Sequence, residues 1–349
     1  MQVLIGRTDN RNGEYKKDKG RTLMLVFGLQ GSPRKKGNTN FLLSTFMETA
    51  EKRGARTLTI DVSKGNILPC KEYTVCEKKG FCPIDDDVRD EIYPLLRQAD
   101  VIVVATPIFF YNMTAQLKAV IDRCQMFWAR KYKLKLKDPG ANMRRGFLLS
   151  VGATKGKNLF EGLQLTTQYF FDAVGAKFEG SLTYRGIEGP NEMAGHPTVL
   201  EDVAQAVDKT ISPFLGRKKV LFACRENACR SQMASGFAQF AAGDKLEVMN
   251  AGIEPADRMN PDMVTVMHEK SIDMEFRMPQ SIDAVISQNK PDLIITMGCR
   301  EQCPSVPGAR ILDWDLPEPA GKPIEFMRDL RDDIEKRVQT LIEEITNTG

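Results

Sequence analysis

Cys224 and Arg230 stand six positions apart in VLFACRENACRSQMA, with Ser231 directly after the arginine. A thiol, a guanidinium and a hydroxyl at that spacing could do nucleophilic chemistry on a tetrahedral oxyanion. The thiolate attacks, the planar fork of Arg230 grips two oxygens, and Ser231 donates to the sulfur. Spacing alone carries little weight in a chain with eight cysteines. The setting carries more: KKVLFA reads as a short buried strand and SQMASGFAQFAA as a small-residue amphipathic helix. A loop between such elements aims backbone N–H groups and a helix N-terminus at its centre, which suits an oxyanion and favours a thiolate. Asn227, inside the loop, completes a candidate set of Cys224, Asn227, Arg230 and Ser231. On these residues alone the bland reading stays open, with Cys224 a small buried hydrophobe and Arg230 a solvated helix residue.

A second constellation lies in GLQGSPRKKGNTN, residues 28 to 40. Ser32, Arg34, Asn38 and Thr39 offer side-chain donors, and Gly31 and Gly37 let the backbone approach a ligand, at the strand-to-helix turn where parallel sheets bind phosphate. The stretch has neither the three spaced glycines of a dinucleotide site nor the terminal Gly-Lys-Ser/Thr of a nucleotide P-loop, so a monophosphate fits better. In TPIFFYNMTAQLKAVIDR, Pro107 stops a strand, and Phe109, Phe110 and Tyr111 could lie along a flat ring. Two further cysteine groups stand apart: Cys70, Cys76 and Cys82 in PCKEYTVCEKKGFCPIDDD, and Cys299 and Cys303 in MGCREQCP.

The elements that must position these residues follow a βαβα rhythm from TLMLVFGLQGS onward. Residues 1 to 20 are too polar to bury anything and read as a flexible lead. The rhythm pauses at DKTISPFLGRKK and restarts at KKVLFAC, which predicts one doubly wound parallel α/β domain over 21–212 and a second parallel α/β domain over 218–349. At 349 residues and 42% hydrophobic content, each half is large enough to bury its own core. The charge of +3 is spread without blocks, so neither nucleic acid nor a membrane surface is expected as a partner. No run approaches a membrane span and no signal-peptide layout is visible, so the chain reads as cytoplasmic. There the eight cysteines are expected to be catalytic, redox-active or metal-binding. With two histidines, His196 and His268, mixed Cys/His zinc sites are poor candidates.

SPRKKGNT followed by TPIFFYNMTAQLKAVIDR resembles the NADPH-dependent FMN reductase and iron-sulfur flavoprotein family, of flavodoxin-like fold, over about residues 22–205. The resemblance implies that Ser32, Arg34, Gly37, Asn38 and Thr39 hold the FMN phosphate. It places Pro107, Ile108, Phe109, Phe110, Tyr111 and Asn112 along the isoalloxazine, has the turn at Gly152 border the flavin, and makes NADPH or NADH the hydride donor. Family members often carry four cysteines before a DD pair; here Tyr73 takes the second place, so an iron-sulfur cluster is not expected. Flavin reductases of this type are often oligomeric, so a homo-oligomer is expected.

CRENACRSQMASGFA, NAGIEPADRMNPDMVTVMHEKSIDM, TMGCREQCP and DWDLPEPAGKP together resemble the arsenate reductases that share the low-molecular-weight tyrosine phosphatase fold, over about residues 218–345. The resemblance implies that Cys224 attacks arsenate, that Cys299 resolves the adduct, and that Cys303 carries the disulfide outward. Glu318-Pro319 stands where that fold has an Asp-Pro general acid. Arg225 and Glu226 depart from the small residues common in the loop. The resulting expectation is an FMN domain reduced by NAD(P)H joined to an arsenate reductase, with the flavin reducing the Cys299–Cys303 pair directly or thioredoxin doing so. The alternative is a tyrosine phosphatase fused to a flavin or quinone reductase; a third reading makes the second half an oxyanion sensor.

Overall fold

The computed structural model describes residues 24 to 347, and the polar lead expected over 1–20 lies outside them. Two parallel sheets organise the chain. The first contains β1 (Leu25–Gln30), β2 (Arg56–Asp61), β3 (Val101–Pro107), β4 (Arg145–Gly152) and β5 (Lys177–Arg185), in the order β2-β1-β3-β4-β5. The second contains β6 (Lys218–Cys224), β7 (Leu246–Gly252), β8 (Leu293–Met297) and β9 (Arg310–Asp313), in the order β7-β6-β8-β9. The fold class is the expected one: two parallel-sheet α/β domains, the first flavodoxin-like and the second of the low-molecular-weight phosphatase type.

The buried strands are apolar along their length because helices cover both faces of each sheet. Alternation still sorts the side chains. Leu25, Phe27 and Leu29 enter one core cluster, whereas Met24, Val26, Val101 and Val103 enter the cluster on the other face. In the second sheet Val220, Phe222 and Cys224 face one way and Leu221 and Ala223 the other. Cys224 therefore points to the side covered by the helices Arg230–Ala242 and Ile324–Asn347. β5 has no counterpart in the elements read from sequence. KFEGSLTYR is mostly half-exposed, as an edge strand is, and pairs with β4 through a register shift at Gly146/Phe147, so no continuous apolar run marks it.

In both sheets the first strand is interior, with the next two strands on either side of it, so each has a switch point beside that strand's carboxyl end. Crevices for ligands form there. The domains meet elsewhere. Asp100, just before β3, accepts from Arg217, just before β6, at 3.3 Å, and also from the Leu25 N–H at 2.9 Å. A cleft of about 470 Å³ lies between the domains, lined on the first by Leu25, Arg56, Arg97, Asp100 and Asp138, at or near the amino ends of the strands. The second domain thus abuts the end of the first sheet opposite to its switch point.

Candidate functional site

The loop after β6 wraps its backbone around the Cys224 sulfur. The Asn227 N–H donates to Cys224 Sγ at 3.2 Å, and Ser231 Oγ lies 3.0 Å from the same sulfur. Asn227 has φ 52°, the left-handed conformation that turns its N–H inward, and an Asn adopts it more readily than most residues. Its side chain is fully committed: Nδ2 donates to Ser231 Oγ at 2.8 Å, while Oδ1 accepts from the Gln280 N–H at 2.8 Å and from Gln232 Nε2 at 3.2 Å. The structure thus brings Cys224, Asn227, Arg230 and Ser231 together as one unit, all four nearly or fully buried.

Neighbouring backbone clips the loop in place. The N–H groups of Ile253, Glu254 and Ala256 donate to the carbonyls of Cys224, Arg225 and Glu226. Gly252 is required beneath it, because a Cβ there would sit 2.7 Å from Arg225 O and 2.8 Å from Asn227 N. Arg225, which departs from the small residues expected, turns outward to an exposed pair with Glu254 at 3.1 Å. Arg230 Nη2 donates to Glu318 Oε2 at 2.6 Å and Nη1 to Leu316 O at 3.4 Å. Gly298, at φ +75°, makes room for that guanidinium, since a Cβ would lie 2.9 Å from Nη1.

Strand pairing brings the backbone of the second thiol to the same end of the sheet as the first, while its side chain packs with Leu221 and Ala223 on the other face. Cys224 pairs with Met297 across β6 and β8, and Cys299 follows two residues on. Cys299 is buried, and burial pushes its thiol up to about 11, with Cys303 and Cys224 adding to the rise and Arg230 opposing it. Cys303, half-buried across a single turn of 3₁₀ helix from Cys299, is also raised by burial. Cys229 is packed against Met327 Sδ at 3.5 Å and burial pushes it to about 12, so it belongs to the core rather than to the chemistry. Among the described residues no three His, Cys, Asp or Glu side chains are grouped as a metal site.

At the first domain's switch point, Ser32 is buried with its N–H on Gln30 Oε1 at 3.2 Å and its Oγ accepting from the Arg34 N–H at 3.3 Å. Arg34 is exposed and Thr39 buried. The helix Asn38–Lys52 starts after Gly37 with no side-chain cap and no acidic residue in its first turn, which leaves the positive end of a long helix facing the loop. Gln30 Nε2 is buried there without a partner. These features fit a phosphate monoester. Asn38 differs from expectation: its Nδ2 donates to Gly189 O at 2.8 Å and its Oδ1 accepts from the Met193 N–H at 3.1 Å, so its amide ties down the 186–195 segment. Pro107 closes β3 and Ile108 N–H donates to Val151 O. Phe109 and Asn112 pair across a tight turn whose central residues, Phe110 (φ 47°) and Tyr111 (φ 62°), are exposed. Tyr111 packs on Gly156, beyond the Gly152 end of β4, so the two turns expected around a flat ring adjoin. Cys70 is exposed and Cys76 and Cys82 are half-buried, all three as free thiols.

Residues 219–348 match the family model for low molecular weight phosphotyrosine protein phosphatase. A glutaredoxin arsenate reductase of Synechocystis sp. is 34% identical over 131 residues, 37% of this chain and 99% of that protein. The second half belongs to the arsenate reductase and low-molecular-weight phosphatase family. Residues 24–165 match the NADPH-dependent FMN reductase model, and an iron-sulfur flavoprotein of Methanosarcina thermophila is 39% identical over 132 residues, 38% of this chain. The chain spans 65% of that flavoprotein's length. A solved thioredoxin-dependent arsenate reductase of Corynebacterium glutamicum is 28% identical, covering 44% of this chain and 78% of its own, with a TM-score of 0.34. Sequence reasoning missed Gly252, Gly298, Gln232 and Gln280; a glycine closing each strand, in NAG and TMG, is the signal available for the first two.

Proposed function

We propose that the chain is an oxidoreductase of two domains, divided at about residues 212–217, in which the second reduces arsenate to arsenite by a thiol relay and the first is an FMN-dependent NAD(P)H oxidoreductase. The observation that carries the reading is the Cys224 sulfur, held by the Asn227 N–H and Ser231 Oγ beside the Arg230 guanidinium, with a second buried thiol two residues past its strand partner. Cys224 Sγ bonds to arsenic, an As–O bond breaks, and the Glu318 carboxylate, beside Arg230, relays a proton from an arsenate hydroxyl to the departing oxygen, which leaves as water. Cys299 Sγ then attacks Cys224 Sγ. The S–As bond breaks with its electron pair left on arsenic, which departs as arsenite, and Cys303 exchanges to leave Cys299–Cys303 oxidised.

Ser32, Arg34, Thr39 and the N–H groups that open helix Asn38–Lys52 are the residues that would hold the FMN phosphate, and Pro107 to Asn112 with the turn after Gly152 would flank its ring. FMN, when bound, accepts hydride from a reduced nicotinamide and passes electrons on. The flavin loops follow the carboxyl ends of β1 and β3, whereas the second domain packs at their amino ends. A seven-residue strand spans roughly 20 Å, and thiol or hydride exchange needs contact. This supports delivery of electrons to Cys299–Cys303 by a separate dithiol protein of the thioredoxin class rather than by the flavin of the same chain.

The test is arsenate-dependent NAD(P)H oxidation by the FMN-loaded, oxygen-free protein, with arsenite quantified, with and without thioredoxin and its reductase. Arsenite formed with the carrier and abolished by Cys224→Ser is expected. Turnover of p-nitrophenyl phosphate that survives Cys299→Ser, without arsenite, would favour the phosphatase reading.

A further inference from the structure

The segment 271–281 leaves the second domain, enters the first and returns to the thiol loop. At its start it forms a parallel bridge with the first domain: the Lys137 N–H donates to Ser271 O at 2.7 Å and the Asp273 N–H to Lys137 O at 2.9 Å. Asp273, 3% exposed, accepts from Arg97 Nη2 at 2.7 Å and from Arg130 Nε and Nη2 at 2.8 and 2.7 Å. The Phe276 ring stands edge-on to Tyr93 and Phe127, with centroids 5.9 and 5.8 Å away. Ser271 (φ 60°) and Phe276 (φ 64°) both adopt the left-handed conformation, which a phenylalanine holds only when its surroundings impose it. Arg97, Arg130, Tyr93 and Phe127 of the first domain are those surroundings.

The other end of the segment is tied to the thiol loop. Arg277 donates to Ser235 Oγ and Gln239 Oε1 on the helix that follows the loop, and Met278 O accepts from Gln232 Nε2 at 3.4 Å. The Gln280 N–H donates to Asn227 Oδ1 at 2.8 Å, and Gln280 O accepts from the Gly252 N–H at 2.8 Å. The Phe276 plug and Gln280 stand four positions apart, a reach of about 13 Å. A short run of chain thus joins the plug to the N–H that holds the Asn227 side chain.

We propose that Asp273, Phe276 and Gln280 are positioning residues for the Cys224 thiol, so that the first domain shapes the catalytic loop of the second. Arg97 and Arg130 fix Asp273, and Tyr93 and Phe127 fix Phe276. Gln280 then holds Asn227, whose N–H faces Cys224 Sγ and whose Nδ2 faces Ser231. This rests on the reading of Cys224 as the nucleophile. It gives the first domain a role independent of its electrons.

The test is site-resolved alkylation by iodoacetamide, read by peptide mass spectrometry from about pH 5 to about pH 9, on the full chain, with exposed Cys70 as internal reference. Phe276→Ala removes the plug and Gln280→Pro removes one N–H. In each, alkylation of Cys224 at neutral pH falls about tenfold and its pH profile moves upward, because donors to the thiolate are lost. Cys70 is unaffected, and Phe276→Tyr restores the wild-type profile. Should Phe276→Ala fail to fold, Gln280→Pro decides alone. A reactive wild-type Cys224 whose profile is unchanged in the folded variants overturns this inference. A wild-type Cys224 no more reactive than Cys70 overturns the nucleophile reading on which it rests.

Discussion

The Arg230 guanidinium donates to the Glu318 carboxylate at 2.6 Å, so the group that would grip an oxyanion already faces a competing anion. Glu318 is 61% exposed and Arg230 5% exposed, so water reaches only the carboxylate end and the net worth of the pair stays at about 1 kcal/mol. An oxyanion can displace it.

Glu318→Gln separates the two roles of that side chain. With the competing charge gone, inorganic phosphate binds up to about fivefold tighter. With the carboxylate that relays the proton gone, kcat for arsenate falls about a hundredfold. Calorimetric titration with phosphate and turnover assays measure the two; weaker phosphate binding together with unchanged kcat would remove Glu318 from both.

Gly252→Ala places a methyl against Arg225 O and Asn227 N, backbone atoms that cannot swing aside. The loop must shift, at a cost of about 1–3 kcal/mol in stability. The drop in kcat/KM is larger in proportion, about a hundredfold, because the displaced N–H is the one on Cys224 Sγ. Thermal denaturation and kinetics on the same sample test whether activity is lost beyond stability.

Burial pushes the Cys299 thiol up to about 11. If the thiolate of Cys299 resolves the adduct, the resolving step quickens about tenfold per pH unit from near neutrality to about pH 10. Rapid-quench measurement of arsenite in a single turnover shows this slope. In Cys299→Ser, arsenite release stops, and mass spectrometry finds the modification on Cys224.

Acid should destabilise the fold in two stages. Burial holds the half-buried His268 below the usual histidine range, against the opposing pull of Asp273. The unfolded chain therefore binds its proton first, and stability drops as pH falls below about 6.5. Burial alone would raise Asp273, but Arg97 and Arg130 outweigh it and hold the carboxyl low. Its contribution is present above about pH 4 and is lost as pH falls through the folded value. Melting temperatures across this range, with His268→Gln removing the first stage, check the sign; a Tm that rises from pH 7 to pH 5 would contradict it.

The strand, loop and helix around Cys224 were legible because a buried run ending in Cys, then polar residues, then a small-residue helix is a local pattern. So was the turn at Gly31–Thr39. Two kinds of feature were not. β5 is half-exposed and carries Gly180, so neither an apolar run nor a clean alternation announces it. The 271–281 segment draws its shape from Arg97 and Arg130, 176 and 143 residues away, and no periodicity encodes such pairs. Asn38 illustrates a third limit: its type suited a phosphate donor, yet Gly189 and Met193 claim its amide.

The most direct test of the thiol relay needs neither flavin nor carrier. Fully reduced protein is given excess arsenate without oxygen, arsenite is counted per chain, and the new disulfide is mapped. About one arsenite per chain, with Cys299 joined to Cys303, is the predicted result. No arsenite, or arsenite accompanied by a disulfide among Cys70, Cys76 and Cys82 with Cys299 and Cys303 still reduced, would contradict it.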